Sequence, residues 1–140
     1  MLEWLVSIVL VPVVDQTSKH ALRLWLGHRA VPMGAVGALR VSETRTWAQR
    51  MWPALSLRTM WLMWMIAAAA LTAASVIVPL APWAVGLIIG GALSHAIEMS
   101  ARGSISDYVR LRFYPAFNLA DVAMTAGGIG VAYSAIAAVR

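Results

Sequence analysis

Apolar residues in this chain gather into four long blocks separated by two polar stretches. The first block runs from about Leu2 to Leu26 and carries Asp15, Lys19 and Arg23. The second runs from about Met60 to Leu80 and is broken by Pro79 and Pro82; the third runs from about Trp83 to Met99 and the fourth from about Asn118 to Val139. The second and fourth have the ~20 residues that a helix needs to cross a bilayer, whereas the third is short enough for its ends to lie in the interface. Between these blocks, residues 27–59 carry Arg29, Arg40, Arg45, Arg50 and Arg58, and residues 100–117 carry Arg102, Arg110 and Arg112. Within them Leu39-Arg40-Val41-Ser42 and Val109-Arg110-Leu111-Arg112-Phe113 alternate apolar with polar, which predicts short strands on the membrane surface. Trp47 and Trp52 suit anchors of that layer at headgroup level. Gly86 with Gly90, and Ala123 with Gly127, form small-xxx-small pairs of the kind that lets helices approach closely in lipid. The pattern predicts an all-α membrane protein: one domain over residues 1–140 with four transmembrane helices and a small extramembrane β-like cradle.

Composition strengthens this reading. Hydrophobic residues make up 61% of the 140 and charged residues 12%, about half the charge of a soluble domain. So much apolar surface does not fit inside one small globule, and lipid is the place for it. The first residues are not a signal peptide in this reading, because Glu3 stands where a basic region belongs and no small-residue cleavage site follows; they open a retained first helix. The net charge of +5 raises nucleic acid as a partner, but the basic residues lie in loops between apolar blocks, which suits lipid phosphates or a membrane-embedded substrate better. The absence of cysteine excludes disulfides, thiol catalysis and Cys-ligated metal, and leaves the compartment open.

Against this background the six acids stand out: Glu3, Asp15, Glu43, Glu98, Asp107 and Asp121. Three of them, Asp15, Glu98 and Asp121, lie within or at the edge of apolar helices, where a carboxylate costs a few kcal/mol and so usually has a task. Asp15 and Lys19 share a helix face and can form an ion pair, or contact a substrate. Asn118 fits an N-cap that places Asp121 third in its helix, as in a capping box. Asp107 lies just before the second alternating stretch, and the segment between it and Asp121 can turn back to bring the two together. Two carboxyls at close range suffice for aspartic proteolysis: one ionised to take a proton from water, one protonated to donate to the scissile carbonyl. His95, Glu98 and Arg102 fall on one face of the third helix, and they read as a polar seam toward the bundle interior rather than a metal site, since no second His-x-x-Glu pair exists.

Several motifs resemble those of the lipoprotein signal peptidases, also called signal peptidase II. Asp15-Gln16-Thr17-Ser18-Lys19 is similar to the family's D-Q-x-x-K on its first helix, and Gly103-Ser104-Ile105-Ser106-Asp107-Tyr108 to its G-x-V-x-D-F. Gly91-Ala92-Leu93 sits like the glycine-rich start of its third helix. The most specific match is Pro115-Ala116-Phe117-Asn118-Leu119-Ala120-Asp121, which resembles P-A-F-N-x-A-D. Order and spacing agree across nearly the whole chain. Two stretches depart from the pattern: Ser94-His95-Ala96-Ile97-Glu98-Met99 stands where the family has G-N-x-x-D-R, and Thr46-Trp47-Ala48-Gln49-Arg50-Met51 replaces N-x-G-x-A-F.

The resemblance implies a four-helix membrane aspartic endopeptidase of the bacterial plasma membrane that cleaves diacylated prolipoproteins just before the lipid-bearing cysteine. It implies Asp107 and Asp121 as the catalytic pair, with Asp15, Lys19 and Asn118 supporting the site and the substrate. His95 stands at the family's asparagine, and Arg102 is placed to substitute for its arginine; Tyr108 and Phe117 would line an apolar approach. Neither metal nor organic cofactor is implied, and the expected partners are the prolipoprotein and membrane lipid, not nucleic acid. The family places both polar loops outside and both termini inside, whereas the eight loop arginines counted by the positive-inside rule point the other way. We follow the family, because structured loops that bind anionic lipid can retain arginine. The departures motivate an alternative, a non-catalytic relative that holds a lipidated protein or serves in a membrane complex. A proton pathway through Asp15, Lys19, Glu98 and Asp121 is a third class, but it leaves Asp107 without a role.

Overall fold

A computed structural model describes residues 2–44 and 56–140; Trp47, Trp52 and the altered stretch from Thr46 to Met51 lie outside the described residues. The elements in chain order are α1 (Leu2–Leu26), β1 (Val31–Pro32), β2 (Gly37–Thr44), α2 (Leu57–Ile77), α3 (Pro82–Arg102), β3 (Ile105–Leu111) and α4 (Leu119–Val139). Three helices, α2, α3 and α4, are long and apolar enough to cross a membrane. The longest helix, α1 with 25 residues, is not among them, because Asp15, Gln16, Lys19, His20 and Arg23 lower the hydropathy of its second half.

Local chemistry sets the helix ends. Helix α2 starts a turn earlier than the apolar block suggests because Ser56 caps it, its Oγ accepting from Thr59 N at 3.1 Å. It stops at Ile77 because Val78 precedes a proline and adopts an extended conformation. Pro82 opens α3, where its missing N–H costs nothing. The third helix is not short: it runs 21 residues, past Met99 to Arg102, and ends where Gly103 takes a left-handed φ of 71°.

Helix α3 is the centre of the bundle and holds more of the buried residues than any other described element, with α1 and α4 packed along it. The small-residue pairs work as expected, against different partners. A Cβ on Gly86 would lie 2.7 Å from Trp4 O and Ser7 Cβ, so this face meets α1; one on Gly127 would lie 2.6 Å from Ala84 O, so that face of α4 meets α3. Helix α2 packs chiefly on α3, and none of its residues is buried.

A charge cluster crosses the helix interfaces. Asp15 and Lys19, fully buried, pair at 2.7 Å as their spacing predicted, and Lys19 Nζ also donates to Glu98 Oε2 of α3 at 2.8 Å. Arg23 Nη2 donates to Glu98 Oε1 and to Ser106 Oγ. Asp15 accepts from Ser94 Oγ at 2.6 Å and from Ala120 N of α4 at 3.1 Å. The four charges cancel, which is the condition under which ions persist in an apolar interior.

The strands form one antiparallel sheet in the order β1-β2-β3, with Ser42 opposite Asp107. Strand β3 ends at Leu111, so Arg112 and Phe113 fall in a turn rather than in the predicted strand; Arg112 N bonds Val36 O and Phe113 is 92% exposed. The chain then doubles back as expected, and Phe117 exchanges backbone hydrogen bonds with Val109 in both directions at 3.0 Å. That return delivers the start of α4 beside β3.

Two outcomes follow from this packing. Gly127→Val forces α3 and α4 apart and lowers stability by about 1–3 kcal/mol, read as earlier thermal unfolding in detergent; an unaltered midpoint would contradict the close approach. Lys19→Met leaves Asp15 and Glu98 without their shared cation and costs about 3–5 kcal/mol, so the variant should lose thermal stability far beyond what the substitution of an exposed lysine causes.

Candidate active site

Asn118 organises the site. Its backbone lies extended, just before α4, so its side chain is free to cap the helix while its amide reaches across to the sheet. Asn118 Oδ1 accepts from Asp121 N at 3.1 Å, and Asp121 Oδ2 accepts from Asn118 N at 3.0 Å, which is the capping box anticipated from the spacing. The other end of the same amide, Nδ2, donates to Asp107 Oδ1 at 2.8 Å and to Ser106 O at 3.3 Å. One asparagine therefore holds both candidate acids, one through its side chain and one through its backbone.

The first turn of α4 has no loose donors of its own, because each early N–H finds a partner outside the helix ladder. Leu119 N donates to Tyr108 Oη, Ala120 N to Asp15 Oδ1 and Asp121 N to Asn118 Oδ1, each at 3.1 Å. Ser18 spends its proton on Asp15 O, so Tyr108 is the donor in the 3.3 Å contact between their hydroxyls. Burial pushes the Tyr108 phenol above its ordinary range, which keeps that proton in place. Tyr108 is thus a buried brace and not part of an apolar approach.

An apolar groove lies beside Asp121 instead. Asp107 is buried, whereas Asp121 keeps 36% of its side chain exposed. Beneath Asp121 a groove of about 390 Å³ runs along the outer face of α4, lined by Leu111, Tyr114, Phe117, Val122, Ala126 and Ile129 among others. Phe117 lines it, as does Tyr114, packed edge-on against Phe117 with ring centroids 5.8 Å apart, whereas Tyr108 does not. An apolar channel with one carboxyl at its head suits a ligand with a long apolar body and a single polar centre.

Six of the seven expected residues fall into two groups, and Arg102 joins neither. Asp107, Asp121, Asn118 and His95 converge: His95 Nε2 lies 3.3 Å from Asn118 Oδ1 and 3.6 Å from Asp121 Oδ1. Asp15 and Lys19 belong to the neighbouring charge cluster and reach the site through Ala120 N. Arg102 is not brought in; it is exposed at the end of α3 and makes no hydrogen bond or ion pair with the described residues. The seam predicted along α3 therefore splits, with His95 turning to α4, Glu98 to α1 and Arg102 to the surface. Arg23, Ser94 and Ser106 were not singled out from the sequence, although Arg23 supplies the guanidinium beside Glu98 that Arg102 does not. The one signal available was the spacing Asp15, Lys19, Arg23, which puts all three on one helix face.

Comparison with known proteins places the chain. The family model described as signal peptidase (SPase) II matches residues 7–137. The lipoprotein signal peptidase of Methylorubrum extorquens is 46% identical over 52 residues, covering 34% of this chain and 30% of that protein. That of Syntrophomonas wolfei is 45% identical over 51 residues, covering 36% and 34%. The matched stretch thus spans about a third of the length of these relatives. A solved bacterial membrane enzyme, determined by the in meso method at 1.9 Å resolution, shares the fold with a TM-score of 0.74 at 19% identity, over 94% of this chain and 90% of that one. With a family model aligned over nearly its full length and the fold of a membrane enzyme, the chain belongs to the signal peptidase II family and is a multi-pass membrane protein.

Proposed function

We propose that this protein is a membrane aspartic endopeptidase that removes the signal peptide of diacylated prolipoproteins, cutting before the lipid-modified cysteine, with Asp107 and Asp121 as its catalytic pair. The observation that carries the reading is the double hold of Asn118 on the two acids, at 2.8 Å and 3.0 Å, at the head of an apolar groove. In the reaction a water held between the carboxyls adds to the scissile carbonyl. The ionised acid takes the water's proton while its protonated neighbour donates to the carbonyl oxygen; as the tetrahedral adduct collapses, the first acid passes that proton to the departing cysteine nitrogen and the second takes one back from the adduct's hydroxyl, so the C–N bond breaks and the pair is restored. Which acid carries the proton is a property of the pair. Neither metal nor cofactor has a role in this scheme.

The groove suits the acyl chains or the apolar signal segment of such a substrate, since both match its lining. Helix α1 makes a fourth span in this reading: its Asp15, Lys19 and Arg23 are neutralised together with Glu98 inside the bundle, so its lipid-facing side remains apolar. Val6, Val9, Leu10, Val13 and Val14 are exposed on it. The location is the bacterial plasma membrane, with the sheet and the loops on the outer face.

A second reading is favoured by α3, where His95 and buried Met99 stand at positions that resemble the family's asparagine and arginine. In it the fold holds a lipidated protein, alone or within a membrane complex, without cutting it. Reconstitution in liposomes with a diacylglyceryl-modified prolipoprotein peptide separates the two. In the first reading the peptide is cleaved, and Asp107→Asn and Asp121→Asn each reduce kcat by about 10²–10⁴-fold or more while the variants insert and melt like the parent. A parent that binds the peptide without turnover supports the second. Filling the groove by Ala126→Trp should raise KM several-fold with little change in kcat; an unaltered KM would show that the substrate lies elsewhere.

A further inference from the structure

Resting on the reading of Asp107 and Asp121 as the pair, we infer that His95 is a positioning residue: its Nε2–H fixes the Asn118 amide that joins the two acids, rather than contacting substrate. The partners of Asn118 fix which way its amide points. Its Nδ2 faces two groups that accept, Asp107 Oδ1 at 2.8 Å and the carbonyl of Ser106 at 3.3 Å, so this end of the amide must be the nitrogen. The oxygen end already accepts from Asp121 N at 3.1 Å. An amide oxygen has no proton to give, so the His95 nitrogen 3.3 Å away is the donor, and the imidazole carries its hydrogen on Nε2.

With both nitrogen donors and both oxygen lone pairs used, Asn118 cannot turn without breaking several bonds at once. It is 1% exposed, so water does not stand in for a lost partner. Removing the His95 donor leaves the oxygen end held from one side only, by the Asp121 backbone. Asp107 then loses the fixed direction of its bond to Nδ2, and Asp121 loses the imidazole 3.6 Å from its Oδ1. This chain thus reaches Asn118 with an imidazole from α3, at the sequence position where the resembling pattern has an asparagine.

The donor, not the ring, is what the site requires. Glutamine places an amide nitrogen near the position of Nε2, whereas leucine fills space without a donor. His95→Leu is expected to lower kcat on the diacylglyceryl-modified peptide by about 10–100-fold, the scale of a misplaced catalytic group, with KM within about twofold, and His95→Gln to restore most of it. A rise in KM with kcat intact would make His95 a substrate contact and overturn the inference. Equal losses in both variants would reduce it to packing and do the same. Asp107→Asn and Asp121→Asn, measured alongside, test the underlying reading separately: if they cleave at the parent's rate, that reading fails whatever His95 does. Hydrogen exchange of the Asn118 side-chain amide, followed by NMR in detergent, needs no turnover. It should be slow in the parent and in His95→Gln and fast in His95→Leu, and slow exchange in all three would refute the positioning role.

Discussion

A carboxylate with no access to water must be met by donors, and Asp15 is met from three helices at once. Lys19 answers it from α1, Ser94 from α3 and the backbone N–H of Ala120 from α4. Each of these donors would itself be costly to leave unpaired in an apolar interior. The relative placement of the helices therefore follows from one side chain at their crossing. The constraint extends outward through Ser18 and Tyr108, which tie α1 to β3 and to the first N–H of α4. Bundle and sheet are brought into a common frame in this way, and Asp107 on the sheet and Asp121 on the bundle inherit their proximity to Asn118 from it.

Asn118 and Asp121 do two kinds of work in the same geometry. As a capping box they satisfy the exposed end of α4, and this alone would account for their spacing in the sequence. What the cap does not require is the reach of the Asn118 amide to Asp107. A cap that also holds an acid from another element makes the folded helix start and the arranged site the same object. Stability of the helix and placement of the acids are then inseparable, in contrast to sites whose supporting side chains are independent of the local fold.

The sequence disclosed what is local or periodic. The apolar blocks, the pairing of Asp15 with Lys19, the cap at Asn118 and the return of the chain between Asp107 and Asp121 all arise from neighbours within a few turns, where spacing is informative. Helix ends were legible only where a residue with backbone consequences stood; Gly103, rather than the last apolar residue, ends α3, and its role depended on a positive φ that the pattern does not encode. The contacts between Glu98 and Arg23, Asp15 and Ser94, and Tyr108 and Leu119 join elements far apart in the chain or depend on how they cross. Spacing puts Arg23 on a face with Asp15 and Lys19 and Arg102 on a face with His95 and Glu98, and it does not by itself say that the first turns inward and the second does not. The alternation through Phe113 misled for the same reason: period two marks residues that can form a strand, whereas the end of pairing at Leu111 was set by the length of the partner strand, which begins at Gly37.

The groove on the outer face of α4 begins at Asp121 and passes Val122, Thr125, Ala126 and Ile129, two turns of a helix that is long and apolar enough to cross a membrane. If that helix spans the bilayer as proposed, whatever fills the groove enters sideways from the lipid instead of diffusing in from solution. Occupancy is then governed by the mole fraction of the ligand among lipids, not by its molarity in the aqueous phase. A micelle dilutes that mole fraction as detergent is added, so apparent affinities at this groove are surface quantities that scale with the amount of amphiphile present.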